Sequence, residues 1–114
     1  MRIGDLSAAT GASTRSLRYY EEQGLLTSTR TSGGQRVYPA GAVERVSLIQ
    51  SLLAAGLNSA TIHDVLPCIS DESLRTPWLA GRLRTELSRV ETQIDNLSRT
   101  REILAGLVEQ YRVS

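Results

Sequence analysis

Arg15, Arg18, Tyr19 and Glu22 fall at i, i+3, i+4 and i+7, the spacing that gathers side chains on one face of an α-helix. Arginine forks pair in fixed geometry with phosphate oxygens and guanine edges. Two of them beside a tyrosine therefore make a face suited to phosphate and base-edge contact. The alternative is a solvated charged face in which Arg18 pairs with Glu22. Further along, Arg30 and Arg36 bracket a polar segment containing Gly33-Gly34, and Asn58-Ser59 opens another apolar periodic stretch. The free amides of a helix start attract phosphate, so Asn58 and Ser59 read either as an anion contact or as a plain helix cap. Other reactive groups are sparse. His63 and Cys68 are each the only residue of their type, too few for a soft-metal site or an iron–sulfur cluster. Cys68 reads as a single-thiol sensor or as a buried, inert residue. One histidine, one cysteine and unclustered carboxylates name no catalytic constellation. Neither an enzyme nor a cofactor is expected.

The elements that must carry these residues follow from apolar spacing. Ile3, Leu6 and Ala9 mark a short helix closed by Gly11. Ser13 stands where a cap belongs, and the helix it opens runs to Glu22 and Gly24 with Leu17 and Tyr20 inward. Two short helices joined by Gly11-Ala12-Ser13 match a helix-turn-helix, whose second helix enters a DNA major groove. Leu25-Leu26-Thr27 and Arg36-Val37-Tyr38 read as strands of a hairpin turning at Gly33-Gly34. Such a wing lays Arg30 and Arg36 along a phosphate backbone. Pro39 opens a third helix with Val43, Val46, Ile49 and Leu53 inward, ended by Gly56. Asn58 caps a fourth, with Ile62, Val65 and Leu66 inward and a stop near Pro67.

From Thr76-Pro77 a single periodic run continues to the end. Leu83, Leu87, Val90, Ile94, Leu97, Arg101, Leu104, Val108 and Tyr111 alternate spacings of four and three, a heptad seam with one polar member, Arg101. One helix over 77–112 extends ~50 Å at 1.5 Å per residue, too long to bury its seam on a small domain. Ordinary core packing is the weaker alternative; a second copy of the chain is the simplest partner. Gly81 and Gly106 loosen the rod, while Trp78 and Tyr111 place aromatic rings at its two ends, where a small ligand is conceivable. The expected division is 1–69 for a winged helix-turn-helix DNA-binding domain, 70–76 for a connector and 77–114 for the dimerisation helix.

Composition sets the outer bounds. The chain has 114 residues, 40% of them apolar, and a net charge of +1. That total points to no anionic partner, yet all thirteen cations are arginine, through phosphate chemistry or through genome composition. No signal-like or membrane-spanning apolar run is present and a single cysteine demands no oxidising compartment, so a cytoplasmic protein is expected.

The stretch Ile3-Gly4-Asp5-Leu6, the run Leu17-Arg18-Tyr19-Tyr20-Glu21-Glu22-Gln23-Gly24-Leu25-Leu26 and the piece Arg36-Val37-Tyr38 resemble the MerR family of transcription regulators, as does the order of elements along essentially the whole chain. The resemblance implies a homodimer joined by an antiparallel coiled coil, each subunit placing its second helix in a major groove of a pseudo-palindromic promoter operator. It also implies action between the −35 and −10 elements, where distorted DNA lets RNA polymerase use both. Carried over by position, Arg15 reaches a base edge or phosphate, Arg18 and Tyr19 hold phosphates, and Arg36 acts from the wing. The full expected DNA-contacting set is Ser13, Thr14, Arg15, Arg18, Tyr19, Tyr20, Arg30, Arg36, Tyr38, Asn58 and Ser59, with Tyr20 packing inward and lending only its hydroxyl. Gln35 departs from the family, which often has an aromatic residue there. The effector is not legible: the several cysteines of metal-responsive members and the extra C-terminal domain of ligand-binding members are missing. A coiled-coil adaptor and an excisionase-like architectural DNA binder are the competing readings.

Overall fold

Gly11 ends α1 (Ile3–Thr10) with φ +76°, and its amide reaches the Ser7 carbonyl at 2.9 Å. That left-handed turn suits glycine because it has no Cβ to clash. Ser13 then caps α2 (Thr14–Glu22), its hydroxyl accepting from the Ser16 amide at 3.0 Å. The far end of α2 closes at Gly24, φ +74°: the Leu25 amide donates to the Tyr20 carbonyl at 2.9 Å and the Gly24 amide to that of Glu21 at 3.0 Å. This paired closure turns Leu25 and Leu26 into the core, where they are 1% and 4% exposed. The strand expected at Leu25-Leu26-Thr27 is therefore displaced to β1 (Thr29–Arg30), which pairs antiparallel with β2 (Arg36–Val37), Arg30 opposite Arg36. The hairpin turns through Gly33-Gly34 as expected, the Gly34 amide bonding the Thr31 carbonyl at 2.9 Å.

The third helix starts later than Pro39. Pro39-Ala40-Gly41 forms a turn, with the Ala42 amide on the Pro39 carbonyl at 3.0 Å, and α3 covers Ala42–Ala54. Asn58 caps α4 (Ser59–Ser70), accepting from the Thr61 amide at 2.9 Å. Pro67 does not stop α4 but lies inside it, and Arg75 serves the last turn by donating to the Cys68 and Ile69 carbonyls at 3.2 and 2.8 Å. A 3-10 turn, Glu72–Leu74, follows, with Asp71 accepting from the Ser73 hydroxyl and amide.

The core of this first unit is aliphatic: Leu6, Leu17, Val46, Ile49, Ile62, Val65 and Leu66 are fully buried. It lies where α1 packs on α2 and α3 and where α3 packs on α4. Ala9, expected inward, is exposed, and Val43 and Leu53 are only half-buried. Arg45, not singled out by spacing, fastens this unit by donating to the Leu25 carbonyl at 2.8 Å and to the Ser70 hydroxyl at 3.0 Å.

The second unit begins at Thr76 and holds α5 (Pro77–Gln110), 34 residues with proline at the helix start. Thr76 occupies the cap position without a side-chain cap bond. Tyr111 lies just past the helix end. The structure, a computed structural model, describes residues 1–113, and over them the chain is mainly α: five α-helices, one 3-10 turn and one two-stranded sheet. No described helix is long and apolar enough to cross a membrane.

Candidate nucleic-acid interface

Helix α2 buries Leu17 and Tyr20 and turns Arg15, Arg18, Tyr19 and Glu22 outward, the division its spacing predicts. Those four line one open concavity of about 320 Å³. The side chains of Arg15 and Arg18 make no hydrogen bond or ion pair to another described residue. Arg18 is thus not paired with Glu22, and both guanidinium groups face solvent with their donors unused.

Arg18 also borders a larger open cleft of about 440 Å³, together with Arg2, Ile3, Arg30, Gln35 and Arg36. The start of α1, the middle of α2 and the hairpin thereby converge four guanidinium groups on one hollow. Like charges this close repel, and an anion seated among them relieves that repulsion. Arg2 was not singled out by spacing, because its place in the cleft depends on the hairpin meeting the start of α1. Tyr38 makes that meeting: its amide donates to the Met1 carbonyl at 2.7 Å, and the Met1 ammonium donates to the Tyr38 carbonyl at 3.2 Å. Within the hairpin, Arg30 Nη1 donates to the Gly34 carbonyl at 3.1 Å.

Tyr19 brings the start of α4 to this face. Its hydroxyl lies 3.2 Å from Ser59 Oγ, so the outer face of α2 is continuous with the α4 N-terminus at Asn58 and Ser59. Asn58 is exposed but spends its side-chain oxygen on the cap. Ser13 Oγ is likewise engaged, with the Ser16 amide and hydroxyl both at 3.0 Å, while Thr14 is exposed at the first turn.

Of the expected contact set, Tyr38 stands differently, while Tyr20 packs inward as expected. Tyr38 is 1% exposed and its hydroxyl donates a hydrogen bond to Glu21 Oε1, so its ring belongs to the core and not to a surface. Tyr20 is 7% exposed, its ring edge-on to that of Tyr19 with centroids 6.5 Å apart. Burial, followed by the bond to Glu21, pushes the Tyr38 phenol up to about 12. The second oxygen of Glu21 lies 3.7 Å from Arg36 Nε.

On α5 the seam is open. Leu87, Ile94, Leu97, Leu104 and Val108 are each more than half exposed, Leu83 is 40% exposed and Tyr111 71%; Val90 is half-buried and Arg101 exposed. Ile103 and Leu107 widen the apolar stripe. Trp78 is 48% exposed. Cys68 is half-buried in the last turn of α4. His63 sits five residues earlier, about 140° around the helix at 3.6 residues per turn, with its ring against Gly24 and Nδ1 3.9 Å from Asp64. The two do not converge.

Residues 1–68 match the sequence profile described as MerR HTH family regulatory protein. Nodulation protein NolA of Bradyrhizobium elkanii is 36% identical over 93% of the chain, which spans about half (46%) of that relative. The HTH-type transcriptional regulator GlnR of Bacillus anthracis is 35% identical over 86% of the chain and 67% of its own length. Among solved folds, HiNmlR, a MerR family regulator lacking the sensor domain and bound to promoter DNA, superimposes with TM-score 0.67 at 23% identity, over 97% of this chain and 89% of that one.

Proposed function

The chain belongs to the MerR family of helix-turn-helix regulatory proteins, and from that premise we propose that it binds a pseudo-palindromic promoter operator as a homodimer and distorts the DNA between the −35 and −10 elements. It is a transcription regulator with a DNA-binding helix-turn-helix. One observation carries the finer reading: Arg15 and Arg18 stand exposed and unpartnered on α2, flanked by Arg2, Arg30 and Arg36 of the adjoining cleft. Arg15 and Thr14 meet base edges or phosphate from the head of α2. Arg18, Arg30 and Arg36 hold the backbone, and Tyr19 and Ser59 add hydroxyl donors beside the amides of the α4 N-terminus. Ser13 and Asn58 act as caps that fix those amides, with Tyr20 and Tyr38 as packing beneath.

The exposed seam of α5 supports the dimer. A helix with this much apolar surface in water gains by pairing, at about 25 cal/mol per Å² removed from solvent, and an antiparallel pairing with a second copy is the arrangement proposed. RNA polymerase is the further partner at the promoter, in the cytoplasm, and the activity of the longer relatives is no guide to an effector. Binding of the purified protein to the promoter fragment upstream of its own coding region tests the reading. Arg18→Ala is expected to weaken it by ~1–3 kcal/mol while self-association stays unchanged. Unchanged affinity contradicts the assignment of α2 as the reading element.

A further inference from the structure

We propose that Glu21 is a positioning residue for DNA binding: it holds the wing arginine Arg36 against α2 by gripping Tyr38 with one carboxylate oxygen and Arg36 with the other. The inference rests on the reading that this face receives DNA. Glu21 is the seventeenth residue before Tyr38 in sequence, yet the phenol donates to its Oε1 while Arg36 Nε stands 3.7 Å from its Oε2. The carboxylate is shielded, its side chain 16% exposed against 36% for Arg36, so the attraction is less screened than at an open surface.

A carboxylate among arginines that must attract phosphate looks counterproductive. Its charge opposes the anion, and removing it should strengthen binding if charge alone mattered. The geometry gives it a different use. The wing is a hairpin of two-residue strands, too short to be rigid by its own ladder. It is fastened at Tyr38 through the two backbone bonds with Met1 and through the hydroxyl on Glu21. Because the Tyr38 ring is buried, Glu21 is anchored to a fixed point, and Arg36 in turn is aimed from Glu21 into the cleft it shares with Arg2, Arg18 and Arg30. Preorganising a long cationic side chain lowers the ordering cost of binding, and that gain outweighs the repulsion of one half-screened charge.

The test is Glu21→Gln, which keeps an acceptor for Tyr38 and removes the charge that holds Arg36. Binding to the same promoter fragment is expected to weaken by roughly 3- to 30-fold, which falls within the range of coupling between contacting groups. In that background Arg36→Ala should lose most of its effect. Without DNA, the Thr31 and Tyr38 amides that close the wing should exchange hydrogen faster than in the unmodified protein. Tyr38→Phe keeps the ring and every charge but removes the anchor, and it carries the test if Glu21→Gln does not fold; weaker binding is again expected. A purely structural loss would leave Arg36→Ala its full cost. Binding as tight as or tighter than wild type, or Arg36→Ala equally costly in both backgrounds, overturns the proposal, as does unchanged amide exchange. Failure of the unmodified protein to bind any promoter fragment counts against the functional reading instead, and the exchange measurement then decides the role of Glu21 alone.

Discussion

Tyr38 shows how one buried hydroxyl ties stability to pH. Its phenol is pushed from the ordinary 10.0 to about 12, first by burial and then by the carboxylate of Glu21. A folded-state value above the unfolded one means that the protonated form is favoured by folding. The contribution is therefore fully present below pH 10 and is lost as pH rises through 12. Compared with Tyr38→Phe, the unmodified protein should hold a constant stability difference up to about pH 10, then lose ground between 10 and 12; denaturant unfolding across that range checks it, and parallel curves contradict it. Arg15 and Arg18 were legible from spacing alone because exposure on a helix follows its period. The Glu21–Tyr38 bond was not, since no local pattern reports a contact between residues so far apart in sequence. For the same reason Tyr38 read as a DNA-contacting residue, since it belongs to the wing piece Arg36-Val37-Tyr38.

The elements depend on a few turns. Gly11 adopts φ +76° with nothing within 4 Å of where a Cβ would sit, so the cost of Gly11→Ala is backbone strain and not a clash. That cost is ~1–2 kcal/mol, and thermal unfolding of a unit this size should fall on the order of 5–10 °C. An unchanged midpoint contradicts the account of the turn between α1 and α2. The boundaries that spacing misplaced share one cause. Leu25 and Leu26 look like a strand by residue type, yet the paired closure at Gly24 folds them inward before the hairpin begins. Pro67 looks like a stop, yet a proline near a helix end removes a single bond, and Arg75 satisfies carbonyls in the turn beyond it. Capping hydrogen bonds at the helix ends decided both cases, and apolar periodicity does not report them. The helices themselves, by contrast, were readable because caps such as Ser13 and Asn58 and stripes such as Ile62, Val65 and Leu66 are local signals.

At the scale of the whole molecule the unburied seam of α5 sets the expectation. Leu97 is 69% exposed, so Leu97→Glu removes little of the packing within one chain. If two copies pair along this seam, the substitution acts twice by symmetry and places charges in an apolar interface. Self-association, read by sedimentation, should weaken by at least roughly 100-fold, a few kcal/mol from two lost leucines; an unaltered dimer would move the interface elsewhere. The seam was legible because a heptad repeat is a property of sequence, whereas the partner that covers it is not. A dimer paired along α5 must present two α2 faces to one duplex. The direct measurement is a hydroxyl-radical footprint of the purified protein on the promoter region upstream of its own coding sequence. Two protected segments related by a pseudo-twofold axis within an overlong promoter spacer, both lost in Arg18→Ala, are expected. A monomeric protein that protects no segment of that region would contradict the account.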